Sequence, residues 1–471
     1  MKLPLVGLLL LGKSVVEVRG KDATKFLNGL VTSRFLPSIE KKKQYTISDA
    51  DNANSGLNDV VDIEKNWGLM HEDIYDPENT ICIGRDGINS MFLNSKGRII
   101  TDCFIYSNPF SGPSIDIEPS YLIEIDSSMK SQLMMLLKLH KLSSKIKINL
   151  VNYNSYYYYN DSVQFDQFLD YLQLKFFRTS TPTMAMESSN QFMNQNIIFN
   201  HNLKNTVLGF AVDNRIPNFG IKFITNKPLD NESVFSSEFP FESTVVPEEN
   251  IIQRRYTNGL FEMQDAPKNM ALLPFDTNLD YINGLSLEKG CYMGQELTIR
   301  TYNNGIIRKR IVPIQFFDVE DLSKIQQSEL IEFDNQDPII EDLKYITSFD
   351  TVSISPLFEQ DAPDAEPLAP QKLQSPFAKS QETTPFPQSP TSPFVGSSSP
   401  FAGSLKPVRR RKTSPGKIVS IKDNLGFLLV SLSDVKHNKY YKVDVTLPDG
   451  TTKPIGIKVN IPDWWPQEED D

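Results

Sequence analysis

The chain has 471 residues, enough for two or three hydrophobic cores, and its 39% hydrophobic and 23% charged residues are those of a globular protein. Forty-eight Lys and Arg against 59 Asp and Glu give a formal net charge of -11, which argues against broad electrostatic binding to nucleic acid or to an anionic membrane.

In chain order, the apolar run over residues 5–18 predicts one or two buried strands. It lacks the small-residue cleavage site of a signal peptide and the Arg- and Ser-rich, acid-poor character of a transit peptide. In GKDATKFLNGL, Asp22 precedes Phe26, Leu27 and Leu30 at helical spacing and predicts a capped helix. Residues 40–65 and 228–250 are polar and predict surface insertions. NSMFLNSKGRIITDCFIY predicts a hairpin turning at Lys96-Gly97. YLIEIDSSMKSQLMMLLKLHKL predicts a strand, a cap at Asp126/Ser127, and a helix whose basic last turn suits the helix dipole. No stretch reaches the roughly 18 apolar residues that span a bilayer.

Ile307–Val319 predicts another strand, and the alternation in GKIVSIKDNLGFLLVSL and YYKVDVTLPDGTTKPIGIKV predicts antiparallel strands around turns at Asp423-Asn424 and Asp449-Gly450. A small β-barrel accounts for them. Between them, Pro356 to Pro415 holds 12 of the 31 prolines, with SPF at Ser375, Ser392 and Ser399 and TPF at Thr384, and predicts disorder. Strands and helices intermix without a strict βαβ repeat, so the predicted fold class is α+β.

Three cysteines, Cys82, Cys103 and Cys291, and four isolated histidines make neither a disulfide framework nor a zinc site, and point to a reducing compartment. They also cannot supply the four ligands of an ordinary iron–sulfur cluster. Cys82 and Cys103 lie in apolar strands and read as structural. Cys291 differs. In LEKGCYMGQELTIRT, Gly290 and Gly294 allow a sharp turn that exposes the sulfur. Lys289 and a helix starting near Gly294 would favour the thiolate, and Gln295 and Glu296 add polar partners. Such a thiol could serve as a transient cluster ligand, a redox sensor or a nucleophile, or be an ordinary buried cysteine.

FLNGLVTS, FLNSKGRIITDCFIY, DNRIPNFG and above all NLDYINGLSLEKGCYMGQELTIRT, in this order over roughly residues 7–310, resemble the folate-binding, aminomethyltransferase-like family. Within it they resemble the iron–sulfur assembly branch known in bacteria as YgfZ. IPDWWP resembles the family's C-terminal barrel more weakly, and DWW itself reads as core packing at a domain seam. The resemblance implies three domains around a central cavity: an α+β core from 1–110 and 205–305, an inserted subdomain at 111–204, and a C-terminal barrel at 306–471 interrupted by 356–415. It implies a tetrahydrofolate-type ligand near Asp102, Asp213, Arg215 and Asn278, and a role for the Cys291 motif, including Gly290, Tyr292 and Gly294. It also implies a mitochondrial-matrix protein that matures [4Fe-4S] apoproteins with A-type assembly proteins, holding a [2Fe-2S] or [4Fe-4S] cluster only transiently and without turnover of its own. The family's transferases carry an acidic pair where this chain has Thr101-Asp102, and they lack the KGCYxGQE cysteine. Asp102 could thus bond a pterin or act as a base, or be an ordinary strand-end carboxylate, and Asp213 with Arg215 could contact a ligand or form a structural ion pair. The rival activity is a folate-dependent aminomethyl or one-carbon transferase or demethylase.

Overall fold

A computed structural model describes residues 3–35, 68–72, 81–112, 118–230, 233–268, 270–305, 307–350, 352–358 and 414–466. The predicted insertion at 40–65 and nearly all of the predicted disorder at 356–415 lie outside these residues.

The apolar N-terminus forms two strands, β1 (Val6–Leu11) and β2 (Lys13–Arg19), which enter different sheets on either side of Gly12. After helix α1 (Ala23–Asn28) and a small hairpin of β3 (Leu69–His71) and β4 (Cys82–Gly84), the predicted turn at Lys96-Gly97 joins β5 (Ile88–Leu93) to β6 (Ile99–Ser107). Next come β7 (Ser120–Asp126), helix α2 (Lys130–Lys141), β8 (Lys147–Val151) and β9 (Asn154–Asn160). Helices α3 (Val163–Leu172) and α4 (Pro182–Asn194) precede β10 (Val207–Val212), β11 (Ile221–Thr225) and helix α5 (Glu249–Asn258).

One antiparallel sheet has the order β5-β6-β7-β2-β8 and the other β1-β9-β11-β10. Val15, Phe104, Tyr106, Leu122, Ala211 and Ile224 pack them together. Strands of 111–204 are therefore distributed: β7 and β8 flank β2, while β9 pairs with β1 and β11. Residues 228–250 are not a surface insertion. Val234, Phe239 and Val246 are buried, and Phe235, Phe239 and Phe241 pack edge-on around Tyr158, Phe165 and Phe168. Polar neighbours obscure these few aromatics in the sequence, yet each large ring contributes about 2 kcal/mol or more when buried.

Asp22 does not cap α1 with its side chain; its carboxylate accepts the backbone N–H of Lys145 at 2.6 Å and ties the helix start to the loop after α2. Asp126 does cap the turn before α2, accepting from Ser128 N at 2.9 Å.

Helix α6 (Gln295–Asn303) leads to the C-terminal strands β12 (Lys309–Asp318), β13 (Ile354–Pro356), β14 (Gly416–Lys422), β15 (Leu425–Ser431), β16 (Tyr440–Thr446) and β17 (Thr452–Val459). Their order, β13-β16-β17-β12-β15-β14, is a curled antiparallel sheet with two edges, the predicted C-terminal antiparallel barrel in half-barrel form. Among the described residues Ser414 links the two edges, its hydroxyl bonding the backbone of Ile354 and Gly416. Trp464 and Trp465 do form a seam: Trp464 Nε1 donates to Asn258 O of α5, and Trp465 packs against Tyr281.

Candidate functional site

Two places gather the candidate residues. The first is the Cys291 loop. Gly290 (φ 87°) and Gly294 (φ 80°) both take the left-handed conformation that the predicted turn requires. Helix α6 begins immediately after Gly294. A Cβ on Gly294 would stand 2.5 Å from Asn94 O, and one on Gly97 would stand 3.0 Å from Gly294 O, so the loop and the β5–β6 turn touch backbone to backbone. The FLNGLVTS segment closes the other side. Met293 N donates to Gly29 O, Ser286 N donates to Thr32 O, and the Lys289 ammonium donates to Val31 O and Ser33 O. Three sequence blocks far apart in the chain thus converge on one loop. Its cysteine is exposed, whereas Cys103 is buried, donates to Ser90 O, and has its thiol pushed well up by burial. Cys82 is half-buried and burial pushes its thiol up to about 12.

Lys289 corrects the sequence reading. Its side chain is buried and burial holds its amine well below the usual lysine range, so it locks the loop to two carbonyls rather than lending charge to the thiol. Its nitrogen also lies 4.8 Å from the ring of buried Tyr292. Gln295 accepts from Tyr292 N at 3.3 Å and steadies the turn. Glu296 is exposed and pairs with Arg300 one turn on, a contact of small energetic weight.

The second place is a buried ionic network between the two sheets. Glu262 accepts from Lys13 at 3.0 Å and Arg215 at 2.7 Å, and Arg215 also holds Asp213 through two bonds at 2.7 and 2.8 Å. Arg255 grips Asp265, and Lys222 pairs with Glu124, which Tyr106 and Ser155 also bond. Burial alone would raise Glu262 and Asp213, but the arginines and lysines around them hold both carboxyls below their ordinary range, Glu262 far below. Asp102 behaves oppositely. Burial, then the neighbouring Glu262 charge, pushes its carboxyl up, while its Oδ1 accepts from Met263 N at 2.9 Å.

Lys13, Tyr157, Arg215, Arg255, Glu262 and Gln264 line a 240 Å³ cavity here, with Leu11, Ile251 and Ile252 as its apolar wall; Asp102 lines a smaller adjoining space. Its volume is at the small end for ligand sites, so it suits a ring system more than a long tail. Gln264 Oε1 is buried without a hydrogen-bond partner, an acceptor left for a donor entering the cavity. Asn278 lies elsewhere: it sits at φ 59°, donates to Ile311 O and contacts Arg310, so it braces the half-barrel seam instead of lining the cavity. Among the described residues no three His, Cys, Asp or Glu side chains are grouped to hold a metal.

Lys13, Glu124, Lys222, Arg255 and Glu262 were not singled out from the sequence. A signal existed for two of them: Glu124 in YLIEID and Lys222 in GIKFIT are lone charges in apolar strands, which survive burial only when paired.

Comparison with known proteins bears on this arrangement. The chain is 51% identical to a Debaryomyces hansenii protein named as a mitochondrial iron–sulfur cluster assembly factor IBA57 homolog, over 99% of this chain and all of that one. It is 50% identical to the Candida albicans homolog over 99% of this chain and all of that one, and 30% identical to Saccharomyces cerevisiae IBA57 over 69% of this chain and 71% of that one. No family model matches. Among solved structures, the glycine cleavage system aminomethyltransferase T of Bartonella henselae aligns over 98% of this chain and 86% of that one, with a TM-score of 0.46 and 10% identity. The chain belongs to the IBA57 family of mitochondrial iron–sulfur cluster assembly factors.

Proposed function

We propose that this chain is an accessory factor of the mitochondrial matrix that helps mature [4Fe-4S] proteins, aconitase-type hydratases and radical-SAM lipoate and biotin synthases among them. The observation that carries this reading is the Cys291 loop: of three cysteines, the exposed one sits on a turn that two distant segments hold in place. A rigid, accessible thiol is suited to contact a cluster transiently while a partner supplies the remaining ligands, and A-type assembly proteins are partners of that chemistry. The cluster is cargo; no step of its assembly is assigned to a second group on this chain.

A tetrahydrofolate-type ligand would be held in the central cavity, its donors meeting Glu262 and Gln264 and its ring the wall of Leu11, Ile251 and Ile252. When bound it would supply a reduced pterin ring. The chain's own residues there pair their charges internally and bring an uncommitted amide oxygen to the ligand. Asp102 keeps a second reading open, a folate-dependent aminomethyl or one-carbon transferase, because its raised carboxyl is suited to proton transfer. Turnover of a methylamine donor with tetrahydrofolate would establish that reading instead.

Replacing the chromosomal copy with Cys291→Ser tests the assembly role. The expected result is normal protein abundance with reduced aconitase and lipoate synthase activity; full activity of both would reject it.

A further inference from the structure

Residues 127–151, which span α2 and β8, contain five lysines and one histidine and no Asp or Glu. Across the chain one residue in eight is acidic, so a stretch this long would ordinarily carry about three. The gap in acidity coincides with an unusual surface. Helix α2 buries Leu133, Leu136 and Leu137 against the sheet. On its opposite face Met135, Leu139 and Leu142, spaced i, i+4, i+7, are 73%, 68% and 87% exposed. Leu150 of β8, registered opposite Val16 on the side of the sheet that α2 covers, is 50% exposed and extends the apolar area. Leu142 holds φ 41° at the helix end, a position that glycine would take with less strain, so the chain accepts strain there and presents a leucine to solvent.

The lysines frame these side chains. Lys138 stands on the outer face itself, Lys130 and Lys141 flank it, and Lys145 and Lys147 follow towards β8. None of the five enters an ion pair with a described carboxylate, although the chain as a whole is strongly acidic. A convex helix with protruding leucines, a methionine and a rim of long cationic side chains is the form of an interfacial helix. Its apolar tips enter the headgroup region and its lysines reach anionic lipid. Protein–protein interfaces are depleted in lysine, whereas five lysines frame this patch.

We propose that the α2–β8 face is a peripheral docking surface for an anionic phospholipid bilayer. It holds the chain against the membrane without spanning it. The net charge of -11 opposes this contact at long range, so the attachment is local, reversible and sensitive to salt.

Flotation of the full chain with vesicles of phosphatidylcholine alone, or of phosphatidylcholine with phosphatidylglycerol, tests it. The wild type is expected to float with the anionic vesicles only and to be released by high salt. Lys138→Glu with Lys141→Glu should weaken the partition roughly ten-fold or more, and Leu139→Ser with Leu142→Ser should release the protein while leaving its thermal unfolding unchanged. These side chains are at the surface, so both variants should fold. A wild type that stays in solution with anionic vesicles overturns the proposal. So does binding that neither variant weakens, or binding to soluble poly-glutamate in place of vesicles.

Discussion

Asp102→Asn should make the protein more stable. Asp102 is buried beside Glu262, and of the two carboxylates Glu262 holds the cations: Lys13, Arg215 and Arg255 all face it. Asn keeps the shape and an Oδ1 that can still accept from Met263 N, while it removes a buried charge that Glu262 repels. The gain should be about 1 kcal/mol at neutral pH, or roughly 2–4 °C in Tm. The pH dependence supplies the sharper test. Burial and Glu262 raise the folded carboxyl above its usual 3.8, so between 3.8 and the folded value the native state binds more protons than the unfolded chain. Wild-type stability therefore falls as pH rises through that window, and the penalty persists above it. The advantage of Asp102→Asn should be complete near neutrality and shrink as the pH falls and the wild-type carboxyl takes up its proton. Thermal unfolding of both proteins across acid to neutral pH reads this directly. A destabilised variant, or an advantage that does not change with pH, would refute the reasoning.

Lys289→Met should flatten the stability profile on the alkaline side. Burial holds the folded amine well below 10.5, so between that depressed value and 10.5 the unfolded chain binds the extra proton and wild-type stability rises with pH; denaturant unfolding of the variant should lack this rise. At neutral pH the same variant leaves Val31 O and Ser33 O without their donor, and hydrogen exchange should show faster opening of residues 286–294. Gly294→Ala combines a strained φ of 80° with a Cβ 2.5 Å from Asn94 O, and should lower stability by about 2 kcal/mol or more; an unchanged denaturation midpoint would show that the loop does not rest on the β5–β6 turn.

The sequence made the Cys291 turn legible because two glycines beside a helix start have few other uses, and the structure gives both the left-handed backbone expected of them. The apolar run at 5–18 likewise placed β1 and β2, and strand patterning placed β5, β6 and the C-terminal strands other than β13. What the pattern could not convey was where charges end up across the chain. Lys289 looks like a neighbour of the thiol at two residues' distance, but its ammonium is claimed by carbonyls more than 250 residues away in sequence. Asn278 lies in the same recognisable block and serves Ile311 and Arg310. Glu262, the centre of the ionic network, sits in GLFEMQDA beside two other acidic or amide residues, where nothing local separates it from a surface carboxylate. The half-barrel's open edges were equally hidden, because alternation fixes the faces of a strand and not the identity of its last neighbour.

The central claim is that Cys291 shares in holding a cluster, and anaerobic reconstitution tests it most directly. The purified chain, wild type or Cys291→Ala, would be mixed with an A-type assembly protein, ferrous iron and sulfide, and cluster absorbance followed together with comigration of the two proteins. The expected result is a stable cluster that requires both proteins and an intact Cys291. Cluster formation that is indifferent to Cys291 would contradict the account.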